Sequence, residues 1–385
     1  MKVLFIEWES FGSDDIKEAF TAERHTVCCF PFTYHGNARN DPEVESRLSS
    51  VLHRDIPDIV FSLGYFPVIS KVCQKEGVRY IAWDYDCPDI LLYSHTVANS
   101  CNTVYVFDRE LCLEFRKKGI NTVRYLPMAA GIERLDSIKG GAEPIFDLSF
   151  VGSLYTEEYH NLPVDWTVLP DQAKGYLDAL GAAQRKVQGY NFIQEVLGPV
   201  MNDLYKAYPM DPNEDGFETR EWFYAQYIVN RRITALERTD LLAAAARHYT
   251  VDLFTVDQNV TVPGVRNHGP VDYYNEMPLV FKQSRINLNI SLRSIKSGIP
   301  LRAFDIMGSG GFLLSNYQED FMEHFIPGED FVYYDSREDL LCKIDYYLNH
   351  EDERNIIAGN GHDKVAAEHT YRHRVREMLD GGCET

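Results

Sequence analysis

Short apolar runs alternate with amphipathic stretches of helical period along the first third of the chain. The runs at 3–7, 26–30, 59–63, 80–83, 103–107 and 122–125 read as strands, and 14–21, 43–53, 67–76 and 109–118 as helices. Strands covered on both faces lose the polar alternation of a half-exposed sheet, and helices of this length return the chain for parallel pairing. The pattern therefore predicts a parallel sheet with helices on both sides. The stretch KGGAEP at 139–144 reads as a linker, and a strand at 146–151 opens a second unit. From about 157 to 248 the pattern is mostly helical, including 191–208 and 217–247. Strands then return at 251–256, 285–290 and 312–315, with helices at 277–283, 300–307, 337–348 and 351–368. The fold expected is α/β: two doubly wound, Rossmann-like domains, 1–140 and 145–368, facing a cleft, the second carrying a helical insertion at about 157–248. Ligands of such sheets sit at the carboxyl ends of the strands.

Composition narrows the function. Of 385 residues 45% are hydrophobic and 13% aromatic, ample for large cores. Lys and Arg number 38 against 58 Asp and Glu, a formal charge of -20 that opposes binding to nucleic acid or anionic lipid. No run approaches the roughly 18 apolar residues of a membrane span. The opening MKVLFIEWES is interrupted at Glu7 and reads as a buried strand, not as an export leader. The eight cysteines are scattered without a CxxC pair, as expected of reduced thiols in a cytoplasmic protein.

The richest chemistry lies at 291–307, SLRSIKSGIPLRAFDIM. It follows a strand, passes Ser297 and Gly298, and enters a helix with Pro300 near its first turn. Free N–H groups at a helix start attract anions, and glycine permits close approach. Arg293, Lys296 and Arg302 add positive charge there, and Asp305 is placed to accept from a ribose hydroxyl. An ordinary i,i+3 pair between Arg302 and Asp305 is the competing reading. Gly308 to Gly311 runs helix to strand, the wrong direction for a phosphate cradle, whereas Gly152 and Ser153 end a strand facing the expected cleft. His268, Gly269 and Val271 form a turn suited to a flat ring, or simply a turn. Asp84 and Asp86 end another strand and suit a general base, a capped turn, or the DxD spelling of metal-dependent sugar-nucleotide sites. His369 and His373, four apart, lack the glutamate and third ligand of a zinc helix and read as a solvated face.

These stretches together resemble bacterial glycosyltransferases related to the spore-maturation protein CgeB. The resemblance rests on NLNISLRSIKSGIPLRAFDIMGSGGFLLSN, and in the amino half on DIVFSLGYFPVIS, YIAWDYDCPD and VYVFDRELCLEFRKKGINTVRYLPMAA. It implies a GT-B fold with a family 1/4-like carboxy-terminal domain binding a nucleotide-sugar, UDP-sugar favoured, and a final helix, 369–380, returning to the first domain. Asp305 matches the second acid of the Glu-x7-Glu motif of retaining relatives, while the first glutamate has no counterpart ahead of it. Gly152 and Ser153 match the loop at the donor diphosphate, whose usual Arg and Lys are absent, so that Arg302, Arg293 or Lys296 is expected to supply the charge. The implied reaction is a metal-independent, hexosyltransferase-type transfer to a hydroxyl of a glycan, protein or small molecule, without a cofactor, helped by Asp84 or Asp86. A sugar-nucleotide epimerase and a non-catalytic nucleotide-binding scaffold are the alternatives, and a homo-oligomer remains open.

Overall fold

The computed structural model describes residues 1–33, 38–141, 143–156 and 166–381. Residue 142 of the expected linker and the expected start of the insertion at 157–165 lie outside the described residues. The chain forms two compact units. The first comprises Met1–Gly131, Pro212–Glu218 and Glu368–Thr385, the second Ile132–Asp211 and Thr219–Ala367.

In the first unit, β1 (Lys2–Glu7), β2 (Thr26–Pro31), β3 (Ile59–Leu63), β4 (Arg79–Asp84), β5 (Asn102–Val106) and β6 (Val123–Tyr125) form one sheet in the order β2-β1-β3-β4-β5-β6. Every pairing is parallel. The connections from β1 and β3 diverge, so the switch point lies between them, where the sequence places Glu7 and Trp8 after one strand and Gly64 after the other. Gly12, beyond β1, has φ 75° and caps the helix Ser13–Ala22, and a Cβ there would fall 2.2 Å from the Tyr371 hydroxyl. That approach docks the last helix, Tyr371–Leu379. Arg374, 2% exposed, donates from Nε to Pro127 O at 2.8 Å, and His369 is buried beside it, not on a solvated face.

The second unit contains β7 (Phe146–Val151), β8 (Val251–Phe254), β9 (Arg266–Asn267), β10 (Ser284–Asn289), β11 (Leu313–Asn316) and β12 (Val332–Tyr334), ordered β12-β11-β10-β7-β8-β9 and again parallel. Its switch point lies between β7 and β10. Leu148, Phe150, Leu253, Ile286, Leu288 and Leu314 make the sheet core. The insertion has its own core around Trp166, Leu177, Leu197, Leu204 and Ile228, which supports its helices without drawing on the sheet. This unit begins at Ile132, earlier than the expected linker, because the helix Ile132–Ser137 is anchored there. Arg134 donates to Tyr274 O at 3.1 Å, and Asp136 lies 3.0 Å from His362 Nε2. Conversely, Pro212–Glu218 leaves the insertion for the first unit, where Asp215 binds Arg39 at 2.9 Å.

Candidate functional site

At the switch point of the second unit, Gly152 N donates to Phe254 O (3.0 Å) and Ser153 Oγ accepts from Tyr155 N (2.9 Å), holding the loop after β7. The helix Asn230–Ala245 sends Arg238 into this place. Its Nε donates to Ile290 O at 2.9 Å and its Nη1 to Ser153 O, so one buried guanidinium ties the carboxyl ends of β7 and β10. The same group lies over Phe150 and Tyr155, 5.2 and 5.0 Å from their centroids. Arg231 stands two helical turns earlier on the same face, 5.9 Å from the Tyr155 centroid and 5.0 Å from that of Tyr227, and among the described residues its Nε has no hydrogen-bond partner. A π-helical turn at Tyr224–Val229 precedes it, an irregularity frequent at functional sites. Sequence reasoning missed both arginines; their seven-residue spacing was the only local signal.

A second constellation surrounds the helix Leu301–Gly308, for which Pro300 is the N-cap. Arg302 Nη1 contacts Met277 Sδ and lies 3.3 Å from Asp305 Oδ2, so the i,i+3 pair is present. The guanidinium lies 5.9 Å from the Phe281 centroid, and among the described residues Nη2 and Nε have no hydrogen-bond partner on a side chain 23% exposed. Asp305 is buried and accepts on Oδ1 from the Tyr273 hydroxyl at 3.2 Å. That bond joins the helix to the segment after β9, where Gly269, at φ 80°, lets the chain turn and Val271 is half-buried. His268 is stacked on Phe254, with centroids 4.8 Å apart and planes 15° apart, and its Nε2 lies 2.7 Å from Asp252 Oδ1. Ser297 and Gly298 are buried, Ser297 O accepting from Asp320 N at 3.0 Å, and Lys296 is half-buried.

Arg293 sits in different surroundings from the open anion contact expected of it. It is 9% exposed and donates to Glu237 through Nε (2.7 Å) and Nη2, and to Val187 O through Nη1 (3.1 Å). A buried carboxylate and backbone carbonyls engage this fork, making it a brace between the loop after β10 and the insertion. Two insertion tyrosines likewise pack: Tyr176 donates to Val196 O and Tyr224 to Tyr208 O, both at 2.8 Å.

In the first unit a cavity of about 570 Å³ opens at the carboxyl ends of β1 and β2, lined by Glu7, Trp8, Glu9, Pro31, Phe32 and Thr33. Trp8 Nε1 donates to Leu63 O at 2.6 Å, across the switch point, and its ring is parallel to that of Tyr85, centroids 6.4 Å apart. Tyr85 lies between the two predicted aspartates. Asp84 is 1% exposed and its Oδ1 accepts from Asp86 N at 3.0 Å, while Asp86 is exposed. A third carboxyl, Asp89, joins them: it is half-buried, accepts from Leu91 N at 2.8 Å, and is hydrogen-bonded to Asp84. Burial, then the neighbouring Asp89 and Asp86 carboxyls, push Asp84 well above the usual carboxylate range, and burial foremost takes Asp89 up to about 7. Among the described residues no three His, Cys, Asp or Glu are grouped as metal ligands.

Comparison with known proteins places this geometry. Residues 232–380 match a family described as glycosyl transferase-like. A comparison with curated proteins by sequence finds no match. Among solved structures, a glycosyltransferase from Rickettsia africae aligns with 98% of this chain and 97% of its own, at TM-score 0.53 and 10% identity. A sucrose-phosphate synthase from Thermosynechococcus elongatus aligns over 99% and 98%, at 0.57 and 9%. Anabaena HepE in complex with UDP-glucose aligns over 99% of both chains, at 0.54 and 9%. The chain thus has the two-sheet fold of GT-B glycosyltransferases, and its residues 232–380 are similar to a glycosyl transferase-like family.

Proposed function

We propose that the protein transfers a sugar from a nucleoside-diphosphate sugar, with UDP as the nucleotide, to an acceptor hydroxyl. The observation that carries this reading is the cationic switch point of the second unit, where Arg238 joins β7 to β10 and Arg231 stands beside it with an unsatisfied Nε. Nucleotides bind such sheets at this place. The fold shared with HepE, which holds UDP-glucose, supports the choice of nucleotide.

In the proposed reaction the acceptor oxygen attacks the anomeric carbon, the bond from that carbon to the diphosphate breaks, and the diphosphate leaves with the electron pair. Negative charge grows on the leaving phosphate, where fixed positive groups lower the barrier most. Arg231, the open side of Arg302 and the N–H groups at the start of Leu301–Gly308 supply them. These cations take the part a divalent metal plays elsewhere, so the reaction is proposed as metal-independent. Arg238, spent on carbonyls, positions the loop. Asp305, oriented by Tyr273, receives the ribose, and the 268–271 turn holds the base. The acceptor is assigned to the first unit, with the Trp8 cavity beside Asp84 and Asp86.

Calorimetry with UDP, GDP, CDP and ADP in EDTA, on the wild type and Arg302→Ala, tests the reading. One nucleotide should bind without metal, and Arg302→Ala should weaken it about 10-fold or more, the value of a charged hydrogen bond. Absence of binding, with or without magnesium or manganese, overturns it in favour of a scaffold.

A further inference from the structure

Asp84 ends β4 with both oxygens in a nearly dry place. Oδ1 is satisfied by Asp86 N, whereas Oδ2 is buried with no hydrogen-bond donor among the described residues. The neighbour of this carboxyl is the Asp89 carboxyl, whose Oδ1 is occupied by Leu91 N. Ionised carboxylates only accept hydrogen bonds, so two of them meet as hydrogen-bonded partners only if a proton lies between them. An orphaned oxygen on a residue 1% exposed, facing a second carboxyl, marks that proton's place.

We infer that Asp84 and Asp89 share one proton and act as a single acid–base group, in which buried Asp84 retains the proton and half-buried Asp89 presents the ionisable carboxylate. The assignment changes the part expected of Asp84, which is too enclosed to meet an acceptor and becomes a positioning residue for Asp89. The other charges facing the pair are consistent with it. Exposed Asp86, on the same turn, raises both carboxyls by repulsion. Arg39 lowers Asp89, but its guanidinium is already engaged by Asp215, Glu218 and Ile90 O, leaving little to hold two ionised aspartates. An Asp89 that ionises near neutrality is a better base for a hydroxyl than an ordinary aspartate. In the proposed use the acceptor O–H bond breaks, its proton passes to the Asp89 carboxylate, and the oxygen keeps the electron pair with which it attacks. That use rests on the transferase reading; the shared proton does not.

The test separates the two. Carbon-13 carboxyl spectra of aspartate-labelled protein, followed from pH 4 to 9, should show one carboxyl titrating near pH 7 and another still protonated there. In Asp89→Asn the signal titrating near pH 7 should be lost, and that of Asp84, still raised by burial, should titrate lower than in the wild type. Thermal stability gives an independent reading. A carboxyl raised on folding stabilises the protein below its unfolded pKa and loses that contribution as pH rises through the folded value. The wild-type melting temperature should therefore fall between pH 5 and 8 by several degrees more than that of Asp89→Asn. Ordinary titration of every aspartate, or equal pH dependence of the two proteins, overturns the inference whether or not sugar transfer is found. For the catalytic use, kcat/KM should fall below about pH 7, Asp89→Asn should lose that limb with most of the rate, and Asp89→Glu should restore the limb in part. A limb unchanged in Asp89→Asn assigns the base elsewhere.

Discussion

Arg293 and Arg302, nine positions apart in one loop-to-helix segment, have opposite surroundings. The side chain of Arg293 is 9% exposed against the equally buried Glu237, whereas that of Arg302 is 23% exposed with two nitrogens unoccupied. Removing one member of a buried ion pair strands the other charge, at a cost of about 3–5 kcal/mol. Arg293→Met should accordingly lower the stability of the protein by about that much, seen as a loss of urea midpoint, with a smaller effect on nucleotide affinity than Arg302→Ala. The reverse order would return Arg293 to the ligand. Candidate chemistry was legible where it is written locally: strand-end Asp84, helix-start Arg302, and Asp305 one turn on. It was illegible where side chains meet across the chain. Arg238 reaches Ser153 over 85 residues and Ile290 over 52, and no local pattern announces such contacts.

At the scale of elements, the strands were legible to within a residue or two because both sheets are covered on both faces, leaving uninterrupted apolar runs. Two strands went unread, β12 and the two-residue β9, the latter too short to write a pattern. The excursion of Pro212–Glu218 was invisible for another reason: its anchors, Arg39 and Ser94, lie far back in sequence, Ser94 Oγ donating to Asp215 at 3.0 Å. The closing helix is held by a fit that a single methyl group tests. Gly12 combines a left-handed backbone with a Cβ site 2.2 Å from the Tyr371 hydroxyl. Gly12→Ala adds backbone strain to a steric collision, together about 1–3 kcal/mol. Adding Tyr371→Phe removes the contact with the hydroxyl, leaving the backbone strain and a tight 3.0 Å approach to the ring carbon Cζ, so the double variant should melt between the single Gly12→Ala protein and the wild type. A double variant no better than Gly12→Ala would place the cost in the backbone and the ring and not in the hydroxyl.

For the molecule as a whole, a net charge of -20 would repel the anionic donor proposed above, whose capture would depend on positive groups gathered locally. Those groups belong to the second unit, on Asn230–Ala245 and Leu301–Gly308. A ligand that binds only the folded form stabilises it by mass action, about 2.7 kcal/mol at a hundredfold excess over Kd. For a unit of this size that corresponds to a rise of about 5–10 °C in melting temperature. Amide exchange should then slow around 152–155, 231–238 and 266–274 and at the start of Leu301–Gly308, where the switch-point loop, the arginine face, the base turn and the helix amides lie. Arg231→Ala should reduce both the thermal shift and this protection, with only a small loss of stability in the unliganded protein from its contacts over Tyr155 and Tyr227. Protection centred on 7–9 and 84–91 instead would place the nucleotide in the first unit and exchange the assigned roles of the two sheets.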